Sequence, residues 1–215
     1  MKRVSLLLLA VLVSSTYSCK NGKKNSEEVT EEGNLKTETA PAFEILSDST
    51  SVHFTAYKTT DKLPVGGEFK EVELSGNING SSPVEVIDGL KFSIPVSSLF
   101  TNDATGTRDP KIKEFFFGVM KDTDMISGVF SSGEGDTCYV DLTLNGETKK
   151  FPLQYTVTED NHIKFTGILN LEDYNAIEAL NSLNEACKVL HTGPDGVSKT
   201  WSEVKIDASI LLKEI

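Results

Sequence analysis

The chain has 215 residues, 25% of them charged, with 21 basic against 32 acidic side chains and a formal net charge of −11. Such an acidic balance repels phosphate backbones and anionic headgroups, which argues against nucleic-acid binding and against charge-driven membrane binding. The three histidines, His53, His162 and His191, stand far apart, and neither a metal-ligand spacing nor a nucleophile or phosphate-loop motif is present.

Residues 1–18 begin with Lys2 and Arg3 and continue through an apolar run at 4–13 that only Ser5 interrupts. The run has the length of a signal-peptide core and is too short to span a bilayer. Thr16 and Ser18 would suit a secretory peptidase. Cys19, placed directly after them, suits lipoprotein processing, in which lipid is first attached to the sulfur. The segment resembles a bacterial lipobox, with Thr16 where leucine is commonest. Cleavage before Cys19 and lipidation of that cysteine is the favoured reading; plain secretion and a buried N-terminal helix are the alternatives. A lipoprotein cysteine carries two or three acyl chains, and at about 0.8 kcal/mol per buried CH₂ that gives a stable membrane anchor. Lys20 is not the acidic residue that marks inner-membrane retention in some bacteria, so the outer membrane is expected, with the domain in the periplasm or at the cell surface. Loss of Lys2 and Arg3 with the leader takes the net charge from −11 to −13.

Residues 20–42 hold no aromatic residue and no isoleucine and are rich in Glu, Lys, Thr and Asn. They cannot bury enough apolar area to offset ordering entropy. With Cys19 they form the expected disordered tether, 19–42, ahead of one domain at 43–215.

Within the domain, period-2 alternation dominates. It predicts strands at 52–56, at 67–74 with a frame shift, at 90–96 and at 138–144. Asn145-Gly146 predicts a type I′ hairpin turn. Strands follow at 148–158, 162–171 and 201–212, the last with Val204, Ile206, Ala208 and Ile210 on one face. Gly66-Gly67 reads as a bulge or tight bend. Residues 108–120 read as a short helix or turn, capped by Asp109 with Pro110 in the first helical position. Residues 171–191 read as one helix, with Asn170 as N-cap and Ile177, Leu180, Leu183, Cys187 and Leu190 as an apolar stripe covering an open end or side of the sheet. The fold class is mainly β: an antiparallel barrel or strongly curved sandwich with one late helix.

With Cys19 set aside, Cys138 and Cys187 remain, a pair in an oxidising compartment. A disulfide is one reading; two separate small buried hydrophobes is the other, and the favoured one. Eleven phenylalanines are present. Phe54, Phe69, Phe92, Phe130 and Phe165 fall in strands, while Phe115, Phe116 and Phe117 cluster at the break, where one is expected to face inward and another to pack between elements.

The order of these motifs resembles the YceI family, the lipocalin-like polyisoprenoid-binding proteins of the bacterial envelope. Val52-His53-Phe54-Thr55 with Val65-Gly66-Gly67-Glu68-Phe69 is similar to the family's opening hairpin. The stretch from Leu90 to Leu99, with its Ser97-Ser98 pair, is similar to the next strand. Arg108-Asp109, Ile112 and Phe115-Phe116 resemble a shortened form of its Arg-Asp motif. Leu142-Thr143-Leu144-Asn145-Gly146-Glu147-Thr148-Lys149 is the most specific match. Lys121-Asp122-Thr123-Asp124 replaces the family's Tyr-Pro step, and Asp173-Tyr174-Asn175 its late Asp-Phe-Gly region. The resemblance implies a barrel of about eight strands whose lumen holds one apolar ligand. It implies a polyprenyl or fatty acyl chain, taken up by burial without catalysis or a cofactor. The lumen candidates are Phe54, Phe69, Phe92, Ile94, Phe116, Phe130 and Phe165. A ligand-free packed barrel acting as an envelope interaction or stress-related module is the alternative; an enzyme on barrel-mouth loops is a third reading.

Overall fold

The computed structural model describes residues 42–215. The leader, Cys19 and the tether up to residue 41 lie outside the described residues, so the expectations for them are not addressed by the fold. Eleven strands form one antiparallel sheet: β1 (Phe43–Lys58), β2 (Leu63–Phe69), β3 (Glu73–Ser75), β4 (Asn79–Gly80), β5 (Lys91–Pro95), β6 (Leu99–Phe100), β7 (Met125–Ser132), β8 (Thr137–Leu144), β9 (Glu147–Val157), β10 (His162–Asn170) and β11 (Glu203–Glu214). Four short helices interrupt them: α1 (Pro83–Ile87), α2 (Arg108–Phe115), α3 (Ile177–Ala186) and α4 (Lys188–His191).

The sheet runs in the order β3-β5-β7-β8-β9-β10-β11-β1-β2-β6, with β4 paired to β1. It curls into a half-barrel whose inner face carries the apolar half of each strand. The β8–β9 hairpin turns on Asn145 and Gly146, both at positive φ (54° and 71°), as a type I′ turn requires. The Asn145 side chain ties this turn to its surroundings: its amide donates to Tyr174 O at 2.9 Å, and its oxygen accepts from Lys121 N at 2.9 Å.

One end of the sheet is packed solid. Val86 and Ile87 of α1, with Leu90, Cys138 and Ile163, are completely buried, and Ile45, Ile210 and Leu212 join them at 3% exposure. Ser82 caps α1, accepting from Glu85 N. Gly80 lies under this helix: a Cβ there would sit 2.8 Å from the Val86 backbone nitrogen.

Several expectations need correction. The strand expected at 67–74 is two strands, because residues 70–72 carry the chain from β2, beside β1, to β3, beside β5. Gly66-Gly67 makes no bulge; it lies in unbroken register opposite Thr55 and Phe54. The helix expected at 171–191 is a 3-10 turn (Leu171–Tyr174) followed by α3 and α4, because Asn175 adopts the left-handed conformation at φ 53° and breaks the helical ladder. Asn170 does cap the first of these, accepting from Glu172 N. Asp109 does not cap α2. Helix α2 begins before it, at Arg108, and the Asp109 carboxylate instead accepts from Thr101 N and Oγ1. Asp103 caps that helix, accepting from Thr107 N and Arg108 N, both at 3.1 Å. Cys138 and Cys187 form no disulfide; both are free and buried, one inside β8 and the other at the end of α3.

Candidate functional site: an apolar lumen

Alternation gives each long strand one inward set. On β1 it is Thr50, Val52, Phe54 and Ala56; on β11 it is Val204, Ile206, Ala208 and Ile210. These strands are central in the sheet, where apolar side chains normally disappear into a core. Here Val52, Phe54, Ala56, Val204, Ile206 and Ala208 are only half-buried. What they face is a cavity of about 200 Å³. No charged side chain lines it, and its hydroxyls are those of Thr50 and Thr200.

Three inward glycines make room for the rings around this space. Gly67 lies directly opposite Phe54, and a Cβ there would be 2.3 Å from the ring. Gly128 does the same for Phe92, at 2.7 Å, and for Val140, at 2.6 Å. Gly167 gives way to Phe151 and Leu153, both at 2.8 Å. Glycine weakens a strand, and its use at these positions is explained by close approach of a neighbouring side chain.

The rings form two chains on the wall. Phe54 meets Phe69 at 5.8 Å between centroids, Phe69 meets Phe117 at 6.5 Å, and Phe117 meets Phe116 edge-on at 5.0 Å. Opposite, Phe92 meets Phe130 at 5.7 Å and Phe130 meets Phe165 at 5.3 Å. These spacings are those of favourable aromatic pairs. Phe54, Phe69, Phe92, Ile94, Phe116, Phe130 and Phe165 all lie on the cavity wall. They are not equivalent: Ile94, Phe130 and Phe165 are almost wholly buried, whereas Phe54, Phe69, Phe92 and Phe116 are half-buried.

Away from α1, helices close the wall. Ile112 of α2 and Leu180 and Leu183 of α3 reach the cavity, with Phe116 and Phe117 beside them. Thr200 and Trp201, just ahead of β11, complete this end. Sequence reasoning missed both: the expected strand began at Trp201, where alternation sets it on the face opposite Val204 and Ile206, whereas β11 begins only at Glu203 and the preceding residues do not follow its phase. Trp201 is fixed by Nε1 donating to Thr59 O at 2.8 Å, with the Lys199 ammonium 3.5 Å from its ring centroid. His191 Nδ1 is 2.7 Å from Thr200 Oγ1, which donates to Asn184 Oδ1 at 2.8 Å. The single Thr200 proton is therefore committed to Asn184, so Nδ1 carries the imidazole proton and donates to Thr200. Burial first, then the nearby ammonium groups of Lys58 and Lys111, hold the His191 pKa down to about 4. Exposed Val189, Leu190 and Val197 cluster in the chain around this histidine.

Among the described residues no group of three His, Cys, Asp or Glu is placed to hold a metal ion, and no helix is long and apolar enough to cross a membrane. Chemically, the arrangement can desolvate a hydrocarbon body.

Residues 43–212, which make up this sheet and its helices, match the family model of the YceI-like domain. The chain belongs to the YceI family. Its fold is similar to that of a polyisoprenoid binding domain from Saccharophagus degradans implicated in plant cell wall breakdown, with a TM-score of 0.56 at 11% identity, covering 82% of this chain and 100% of that one. BcnA of Burkholderia cenocepacia is similar too, with a TM-score of 0.50 at 15% identity, covering 79% of this chain and 99% of that one. At such identities the likeness is one of fold. No curated protein matches the sequence.

Proposed function

We propose that this protein binds a long apolar chain, polyprenyl or fatty acyl, by burying it in the half-barrel lumen, and that it acts by sequestration or carriage rather than catalysis. The observation that carries this reading is the unfilled apolar cavity of about 200 Å³ beside half-exposed Val52, Phe54, Ala56, Val204, Ile206 and Ala208. Leaving that surface wet is unfavourable by roughly 25 cal/mol per Å², and a hydrocarbon ligand would remove the penalty. Family membership and the polyisoprenoid binding named for the Saccharophagus degradans domain support the same chemistry. A packed, ligand-free module would have its side chains meeting across the lumen, and the cavity speaks against it.

The cavity is smaller than the ~300–1,000 Å³ of common ligand sites. A long chain therefore enters with movement of the half-buried rings, or leaves part of its length outside. Native mass spectrometry of the full-length protein, purified without added lipid, is the direct test. A stoichiometric long-chain apolar molecule supports the reading and names the ligand class. A mass that stays that of the bare chain when polyprenyl and fatty acyl lipids are supplied removes it.

The cell-envelope setting belongs to the same proposal. Cys19 is read as the lipidated residue, and the outer membrane as the site of anchoring. Metabolic labelling with a radioactive fatty acid should mark the wild type and leave Cys19→Ala unlabelled. Equal labelling of both would end the lipoprotein reading.

A further inference from the structure

No charged side chain lines the lumen, but two lysines adjoin lining residues at its α2/α3 end. Lys58 continues the inward phase of β1 beyond Val52, Phe54 and Ala56, and its backbone is bridged to Thr200. Lys111 directly precedes Ile112, the α2 residue on the cavity wall, and α2 packs against α3. Both lysines are half-buried. Neither has an ion-pair partner among the described residues, although acids outnumber bases in the chain. Lys62, close by in the β1–β2 turn, is by contrast neutralised by Glu203. Two half-buried lysines without a counter-ion leave their ammonium groups free to make charge-assisted contacts with an incoming anion.

Resting on the lumen reading above, we propose that Lys58 and Lys111 form a headgroup subsite that makes this protein select chains ending in an anion, a phosphate or carboxylate, over neutral chains of the same length. His191 stands beside the subsite. The charges acting on it from the surrounding elements are Lys58 of β1 and Lys111 of α2, with neutral Asn184 and Thr200 completing its contacts. An anion bound between the lysines would cancel their repulsion of an imidazolium, so the histidine reports occupancy without supplying a bond.

Farnesyl phosphate and farnesol, titrated into the full-length protein, separate the possibilities. The lone Trp201 on the cavity wall gives the binding signal, and the NMR titration of His191 gives the headgroup signal. Farnesyl phosphate is expected to bind about tenfold more tightly than farnesol, the equivalent of one modest charge-assisted contact. It should also raise the His191 pKa toward its ordinary value, whereas farnesol should not. In Lys58→Gln/Lys111→Gln the two affinities converge and the His191 response disappears. Lys58→Arg/Lys111→Arg restores the preference, and Lys164→Gln, on an exposed position of β10, retains it. Equal wild-type affinities, or a preference that survives the double Gln variant, overturn the subsite and leave the lumen reading standing. Inorganic phosphate that raises the His191 pKa as strongly as farnesyl phosphate would mean a site for a free anion and overturn the headgroup assignment. No Trp201 response to either chain overturns both the lumen and its subsite.

Discussion

Gly67 and Gly80 are both tight, yet they should respond oppositely to an added methyl group. At Gly67 the obstacle is the far end of the Phe54 ring, which borders empty space. Gly67→Ala should push that ring into the lumen at a stability cost of less than about 1 kcal/mol, while weakening chain binding in the Trp201 titration. At Gly80 the obstacle is backbone of α1 above wholly buried Val86. Gly80→Ala should therefore cost about 1–3 kcal/mol in urea unfolding, with chain affinity little altered in the folded protein. Cys138 is fully buried, and burial pushes its thiol pKa up to about 11. A thiolate-directed alkylating agent at neutral pH should leave Cys138 unmodified in the native protein and modify it in urea. Rapid native labelling of Cys138, read by peptide mass, would contradict this placement.

At the scale of elements, capping and titration decide the behaviour of the α2/α3 end. Asp103 receives two backbone N–H bonds at the start of α2, and hydrogen bonding from Thr105 holds its carboxyl below the ordinary range. Asp103→Ala should cost about 1 kcal/mol by loss of the cap. That aspartate lies five residues before the helix, past a turn, which is why the sequence suggested the nearer Asp109. The pH response follows from His191, whose pKa falls from 6.5 to about 4 on folding. The unfolded chain takes up a proton first, so the stability this group contributes is complete above about 6.5 and is lost as pH falls toward about 4. The carboxylates lowered by hydrogen bonds, Glu85, Asp103, Asp160 and Asp195, act only below their ordinary values of 4.5 and 3.8. Urea midpoints should therefore decline between pH 6.5 and 4.5, and His191→Gln should flatten that decline. An unchanged slope in the variant would place the acid sensitivity elsewhere.

For the whole molecule, alternation was enough to read the long strands, since each must present an apolar face inward and a polar one outward. The inward set on β11 and the hairpin at Asn145-Gly146 were legible for that reason. The lumen was not, because a Phe facing a void and a Phe facing a packed core leave the same pattern in the chain. Phe165 and Phe54 show the difference. Phe165 is 2% exposed and wedged against Phe130, so Phe165→Ala should cost about 3–5 kcal/mol. Phe54 faces the cavity, and Phe54→Ala should cost closer to about 1–2 kcal/mol while enlarging the site. The break at Asn175 was hidden too: the apolar stripe runs on through 177–190, and periodicity does not register a single left-handed residue. His191 had no sequence partner, since Thr200, which it contacts, and Lys58 and Lys111, whose charges act on it, come from three different segments.

The sheet has two ends. Its ordered path starts at the three residues of β3 and stops at the two residues of β6, and no strand pairing joins these among the described residues. A fully closed barrel has a girth fixed by its hydrogen bonds and behaves as a rigid pipe. Here the seam is fastened by chain instead of by a ladder: Val96–Ser98 run straight from β5 to β6, residues 70–72 run from β2 to β3, and Lys70 N donates to Ser98 O at 3.0 Å between them. The girth of the bore is therefore set at this line by two short covalent straps, and any give there is limited to the bending of those few residues.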